Sequence, residues 1–324
     1  MTDQPDPADT RTTREFDDNT LLQMLFGPHN VHLARIERQL GVALVSRGNA
    51  VAFDGPAERV AQAQGVLDGL YARLVKGLPV ETADVDAALR MASLGEGEAD
   101  RLVIVTRKRH IQPRTPVQAE YMRAMEDHEL VFGLGPAGTG KTYLAVARGV
   151  SMMIKGEVDR IILSRPAVEA GERLGFLPGD LREKVDPYLR PLYDALHDML
   201  PGDQVAKKLA AGDIEVAPLA FMRGRTLPNS FVILDEAQNT TPVQMKMFLT
   251  RLGEHSRMVV TGDLSQIDLP PGTRSGLRDA MEVLGQIKDV AFVHFTDRDV
   301  VRHGLVTQIV RAYDADDRRK LGQS

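Results

Sequence analysis

The chain has 324 residues, 43% of them hydrophobic and 26% charged, which is enough for two domains with substantial cores. The absence of cysteine excludes disulfides, thiolate metal sites and cysteine nucleophiles, and fits a reducing compartment. A formal net charge of −5, no tryptophan and 5% aromatic residues exclude a global positive field and a broad base-stacking platform, so any nucleic-acid contact must come from local patches.

Residues 1–18, rich in Asp, Thr and Pro, read as a disordered tail. They lack the apolar core of a secretory signal. No apolar run reaches the roughly 18 residues of a membrane span, so no membrane partner is expected and the cytoplasm is the simplest location. Residues 19–77 read as a small α+β domain. Leu21, Leu22, Leu25 and Phe26 suggest a first short element. Gly27-Pro28-His29-Asn30 follows as a loop, with Asn30 as candidate N-cap. Val31, Leu33, Ile36 and Leu40 have helical spacing and Gly41 ends that helix. Ala43–Ser46 and Ala50–Phe53, joined through Gly48-Asn49, predict a hairpin. A last helix follows Gly55-Pro56 and carries Val60, Ala63, Val66, Leu67, Leu70 and Leu74 on one face.

Residues 78–117 read as a connector holding a helix at Val85–Leu94 and a short strand at Leu102–Val105. Arg107-Lys108-Arg109-His110, extended by Arg114, is its basic run. Charge runs are usually solvated surface, but on an acidic protein this one is a candidate phosphate-backbone contact. Residues 118–314 alternate strand and helix. Apolar runs at Leu130–Leu134, Arg160–Ser164, Phe231–Leu234, Met258–Thr261 and Val290–Phe295 predict buried parallel strands. Helical patterns cover Thr142–Ile154, Pro242–Leu252, Gly276–Leu284 and Val300–Tyr313. The fold class expected is α/β, a P-loop NTPase sheet with helices on both faces. Residues 315–324 read as a polar tail.

The chemistry is concentrated in three strand ends. Gly135-Pro136-Ala137-Gly138-Thr139-Gly140-Lys141-Thr142 matches G-x-x-x-x-G-K-[ST] between an apolar strand and a helix. Its glycines let backbone N–H groups turn inward around an anion. Lys141 supplies charge to the β- and γ-phosphates of ATP, and Thr142 offers its hydroxyl to Mg²⁺. Phe231-Val232-Ile233-Leu234-Asp235-Glu236 is an apolar strand ending in two carboxylates. Asp235 is expected in the Mg²⁺ shell and Glu236 at the attacking water. Thr261-Gly262-Asp263-Leu264-Ser265-Gln266 ends a third strand. Because strand C-termini gather along one sheet edge, Gln266 is placed to sense the γ-phosphate.

Three resemblances narrow this reading. Residues 19–77 resemble a KH-type RNA-binding module, with Asn30 where the G-x-x-G loop has its second glycine; the alternative is a small α/β domain used for protein contact or assembly. Asp235-Glu236-Ala237-Gln238 with Gly262-Asp263-Leu264-Ser265-Gln266 resembles motifs II and III of superfamily 1 helicases. Thr115-Pro116-Val117-Gln118 resembles their Q-motif, which implies that Gln118 reads adenine. The segment from Ser164 and Arg165 through Leu174-Gly175-Phe176-Leu177-Pro178-Gly179-Asp180, continuing to Pro191, resembles the hallmark of the PhoH family. That resemblance spans most of the chain. It implies a cytoplasmic ATP-binding protein linked to phosphate starvation or RNA metabolism, in a ring-like, often hexameric, homo-oligomer. Helicases complete their ATP site with arginines from a second domain, and the roughly 200 residues after the connector suffice for one such domain. A neighbouring subunit is therefore expected to supply one, with Arg165, Arg302 and Arg298 as candidates.

The expected function is ATP hydrolysis coupled to RNA remodelling or RNA metabolism. The alternative is an ATP-driven regulatory or assembly switch on a protein partner in RNA processing or ribosome biogenesis. A small-molecule kinase is the weakest reading, since no acceptor-pocket signature is present.

Overall fold

The computed structural model describes residues 9–92, 102–166, 181–301 and 309. The chain divides into two units. One holds residues up to 103 together with 112–119; the other holds 104–111 and everything from Glu120 onward. The expected connector is thus shared between the two and is not a separate linker.

The first unit is a three-stranded antiparallel sheet with helices. Strand β1 (Asp9–Glu15) and the hairpin β2 (Ala43–Arg47) and β3 (Ala50–Pro56) lie in the order β1-β3-β2. The sequence reading placed residues 1–18 in a disordered tail, and from Asp9 onward this is corrected. The segment is polar because β1 is an edge strand, stabilised by its ladder to β3 from Asp9↔Pro56 to Glu15↔Ala50. It is anchored by buried Phe16, whose ring packs 4.9 Å from that of Tyr71. An edge strand needs few apolar residues, so composition hid it.

Helix α1 (Asn19–Phe26) is capped by Asp18, which accepts from the Thr20 amide at 2.7 Å. Helix α2 (Val31–Leu40) follows a loop in which Gly27, His29 and Asn30 all have positive φ, at 70°, 53° and 58°. Asn30 occupies the N-cap position without a side-chain cap bond. An N-cap takes extended angles to reach the first amides, and a left-handed residue does not. Helices α3 (Ala57–Val75) and α4 (Thr82–Met91) close the core through Leu67, Leu70, Val85 and Leu89. Arg73 pairs with Asp84 across them at 3.4 Å.

Strands β4 (Ile104–Val105) and β5 (His110–Ile111) form a two-stranded hairpin in the second unit. The apolar run at 102–105 thus contributes two strand residues where four were expected. Helix α5 (Pro116–Asp127) leads into the main sheet. Its six strands are β6 (Leu130–Leu134), β7 (Arg160–Arg165), β8 (Ile214–Pro218), β9 (Ser230–Leu234), β10 (Arg257–Gly262) and β11 (Val290–His294). They run parallel in the order β11-β6-β10-β9-β7-β8. Strand β8 escaped the sequence reading. Its IEVAP run sits at the edge, interrupted by a charge, and mimics a loop. The central strands are apolar throughout because both faces are covered.

Helix α6 (Lys141–Lys155) packs on the sheet with Ala145, Val146, Gly149 and Val150 buried. Helices α7 (Leu181–Met199) and α8 (Gly202–Ala211) precede β8. Helix α9 (Pro242–Leu249) opens with a Thr241–Gln244 capping box, and α10 (Gly276–Leu284) follows β10. The helix expected over Val300–Tyr313 lies, apart from three residues, outside the described residues, as does most of the segment 166–180. Among the described residues, no helix is long and apolar enough to cross a membrane.

Candidate active site

The C-terminal ends of β6, β7, β9 and β10 meet along one edge of the sheet, and each delivers one piece of a cleft of about 840 Å³. Strand β6 ends in the glycine loop. Gly135, Gly138 and Gly140 take φ of 134°, 83° and 87°, a left-handed path open to glycine at little cost. The Gly135 amide donates to Gly262 O at 3.0 Å, and the Val301 amide donates to Gly138 O at 3.0 Å. A Cβ on Gly135 would stand 2.3 Å from Phe295 O. Gly135→Ala is therefore expected to lower stability by about 2–4 kcal/mol, measured by urea unfolding. An unchanged midpoint would mean the loop has another route past β11.

Lys141 opens α6, and its ammonium folds back onto the loop. It donates to Gly135 O at 2.5 Å and to Pro136 O at 2.7 Å, and lies 3.3 Å from Thr139 Oγ1. Thr139 itself is held by Pro136 O at 3.0 Å. A glycine loop running into the N-terminus of α6 is an anion-binding arrangement. Ala137, Gly138 and Gly140 line the cleft with Lys141 and Thr142.

Asp235 is the hub. Its Oδ1 accepts from Thr142 Oγ1 at 2.6 Å and from Thr261 Oγ1 at 2.7 Å, and its amide donates to Ser164 O at 2.9 Å. Through its carboxylate and its backbone amide, one residue thereby ties together the glycine loop, β7, β9 and β10. Hard oxygen donors from one carboxylate and one hydroxyl are the protein's share of a Mg²⁺ site whose other ligands are phosphates and water. Thr142 and Asp235 fit that role.

Glu236 is the next residue and is strained, at φ 53° and ψ 38°. A non-glycine residue in this region costs roughly 1 kcal/mol or more and persists only where its surroundings over-determine it. Here they do. Glu236 Oε1 accepts from Arg165 at 2.7 Å, and Oε2 accepts from Gln238 Nε2 at 2.6 Å. Arg165 Nε also lies 3.9 Å from Asp235 Oδ2. Arg165, expected as a candidate donor to a neighbouring subunit, contacts the carboxylates of its own chain here. Strand β7 lies beside β9 with Ser164 opposite Leu234, so its terminal arginine falls onto its own chain's carboxylates.

Gln238, fully buried, is a site residue not expected from the sequence. Besides Glu236 it donates to Gln266 O at 3.0 Å and accepts from the Asp263 amide at 3.0 Å. It therefore joins the second and third strand ends. The signal was its place in Asp-Glu-Ala-Gln, where a short helical turn sends it back into the sheet edge. Gln266 lines the cleft, with its side-chain Nε2 donating to Asp263 Oδ2 at 2.8 Å.

Gln118 belongs to the other unit. Its Oε1 accepts from the Arg114 amide at 2.8 Å, and its own amide donates to Thr115 Oγ1 at 3.2 Å. Arg298 is exposed in a short helical turn after β11. Arg302 lies outside the described residues.

Tyr121, on α5, is fully buried with its ring against Gly133 and edge-on to Phe295 at 5.4 Å. Burial, with a smaller contribution from Asp235, pushes its phenol well above the ordinary range. Its hydroxyl has no hydrogen-bond partner among the described residues. Because an unsatisfied buried hydroxyl is costly, Tyr121→Phe is expected to raise stability by roughly 1 kcal/mol. A drop in melting temperature would instead reveal a structural water at that oxygen.

The sequence pattern of one family, described as PhoH-like protein, matches residues 110–314. A PhoH-like protein of Bacillus subtilis is 50% identical over 296 residues, covering 90% of this chain and 93% of its own length. A PhoH-like protein of Mycobacterium tuberculosis is 52% identical over 294 residues, covering 89% of this chain and 84% of that one. Protein PhoH of Escherichia coli K12 is 47% identical over 205 residues, 63% of this chain and 58% of its own. Among solved structures, a Pif1 helicase from Candida albicans covers 56% of this chain and 40% of its own, at 14% identity and a TM-score of 0.27. At that score the fold rests on the sheet order above and not on this likeness.

Proposed function

Since the chain belongs to the PhoH family, with the parallel sheet and glycine loop of a P-loop NTPase, we propose that it is a Mg²⁺-dependent ATPase coupling hydrolysis to RNA remodelling or RNA metabolism. The observation that carries the ATPase reading is the convergence of Lys141, Thr142, Asp235 and Glu236 on one cleft. Lys141 leaves the loop carbonyls for the β- and γ-phosphates, while the loop amides hold their remaining oxygens. Thr142 and Asp235 would hold the metal, which would neutralise charge on the phosphates. Arg165 moves toward the γ-phosphate, a stronger anion than one carboxylate. Its departure opens Glu236 Oε1 to a water. Glu236, still oriented by Gln238, takes that water's proton as it attacks the γ-phosphorus, and the bond to the β–γ bridging oxygen breaks so that ADP and inorganic phosphate leave. Gln266 and Asp263, both lining the cleft, would register the released phosphate through a change in their hydrogen bonding.

The test is ATP turnover with and without a panel of single-stranded RNAs at low salt, with Lys141→Ala as background. Turnover above background supports hydrolysis, and stimulation by RNA supports the coupling. Turnover indistinguishable from the variant overturns both.

With Arg165 committed to its own site, Arg298 and Arg302 remain as arginines that a neighbouring subunit could lend in a ring. Such a residue contributes about 10³–10⁵ in rate. Specific activity is therefore expected to collapse on dilution below the assembly concentration. Concentration-independent specific activity, read beside light scattering, would remove the shared site.

A second reading, an ATP-driven switch on a protein partner, draws on one observation. Val243 (79% exposed) and Phe221 (45% exposed) are large apolar side chains left open near α9, the helix that follows Glu236. ATP turnover insensitive to every nucleic acid would favour it.

A further inference from the structure

The turn between β4 and β5 carries the basic run, and it is built to hold its shape. The Thr106 amide and hydroxyl both donate to Arg109 O at 2.9 Å, and the Arg109 amide donates back to Thr106 Oγ1 at 3.0 Å. The turn thus presents Arg107 and Lys108 at a rigid, exposed tip. It rests on the end of α7. The Lys108 amide donates to Met199 O at 3.2 Å, and its ammonium donates to His197 O at 2.7 Å. Cations belong at a helix C-terminus, so capping alone accounts for Lys108.

Capping does not account for what lies beside it. Asp198 is an acid in the last turn of α7, where the helix dipole disfavours it. Arg109 donates to its Oδ1 at 2.6 Å, and Tyr143 donates to its Oδ2 at 2.8 Å. The Asp198 hydrogen bond raises the Arg109 pKa. Tyr143 directly follows Thr142 in the first turn of α6, and both Tyr143 and Asp198 line the cleft. Three side chains therefore run from an exposed cationic tip to the helix turn that carries the phosphate-binding amides.

We infer that this tip binds the phosphodiester backbone of a single-stranded nucleic acid, and that Arg109–Asp198–Tyr143 reports its occupancy to the nucleotide cleft. The inference rests on the nucleic-acid reading above and gives it a contact and a route. A phosphate competes with Asp198 for Arg109, because both are anions that the guanidinium can hold in two-point fashion. Once Arg109 turns outward, Asp198 keeps Tyr143 as its donor, and the bond between α7 and the first turn of α6 tightens. The loop amides are then more rigidly placed, and nucleotide binds more strongly. Linkage requires the reverse as well: bound nucleotide strengthens nucleic-acid binding by the same factor.

The experiment measures the Kd of a non-hydrolysable ATP analogue by fluorescence, with and without a saturating oligonucleotide, in full-length protein. Single-stranded RNA and DNA of one sequence form separate arms, and an acidic peptide forms a third. The expected result is a nucleotide Kd lowered by about 5-fold or more with either nucleic acid and unchanged with the peptide. In Tyr143→Phe and Asp198→Asn the oligonucleotide still binds, but the shift disappears. In Arg107→Ala/Arg109→Ala the oligonucleotide affinity itself falls. Retention of the full shift in Tyr143→Phe overturns the relay while leaving the nucleic-acid reading standing. Unchanged oligonucleotide affinity in the double variant overturns the contact. A shift with the acidic peptide alone overturns the ligand class. If neither nucleic acid binds the wild-type protein, the nucleic-acid reading falls and this inference falls with it.

Discussion

Lys141→Ala is expected to lower ATP turnover by on the order of 10³-fold, the upper end of what one preorganised donor contributes to a charged transition state. The ammonium stands 2.5 Å from Gly135 O and 2.7 Å from Pro136 O. It is thus held at the mouth of the anion cradle before any ligand arrives. Nucleotide affinity is expected to fall as well, since the same charge faces the ground-state phosphates. Folding should survive, because the loop is also fixed by Thr139 on Pro136 O and by the Gly135 and Val301 amide bonds. Turnover by stopped assay and melting by calorimetry separate the two effects. Turnover within tenfold of wild type would remove Lys141 from the chemistry.

Glu236→Gln is expected to lower kcat by about 10²–10⁴, the range for loss of a general base, while nucleotide binding persists. The amide can keep the Arg165 contact through its oxygen, but it cannot take a proton from water. Nor can it satisfy both neighbours as before, because Gln238 Nε2 is itself a donor. A second effect follows from the charges. Arg165 no longer has a full negative charge on Glu236 to hold it, so it reaches the γ-phosphate more easily and the analogue binds at least as tightly. A variant with wild-type kcat would move the base elsewhere. Loss of nucleotide binding along with kcat would make Glu236 a structural residue of the cleft.

Much of this was readable from the residues alone, for identifiable reasons. The glycine loop is legible because the chemistry demands residue types at fixed spacing. The buried strands β6, β7, β9 and β10 are legible because covering both faces of a sheet forces continuous apolar runs, and the edge strand β11 reads through an apolar run of its own. What escaped did so where local sequence is not under that constraint. Strand β1 is polar because an edge strand draws its stability from a ladder whose partner, β3, lies about 40 residues away. The contact of Arg165 with Glu236 escaped because strand order, unknown from sequence, is what brings the end of β7 beside β9. Gln238 was passed over because its role is to join two strand ends brought together by the sheet. Asp198 and Tyr143 carry no motif at all; only the packing of α7 beside α6 makes them a pair.

The two threonine hydroxyls on Asp235 Oδ1 have one more consequence. With Thr142 and Thr261 both donating to it, the carboxylate is already solvated by its own protein, and the lysine beside it is satisfied by carbonyls. A bare divalent cation would have to break one of these bonds with little in return, whereas a cation arriving with a triphosphate brings replacements for them all. Magnesium alone should therefore leave the thermal unfolding of the second unit where it is, and only the metal and nucleotide together should move it upward.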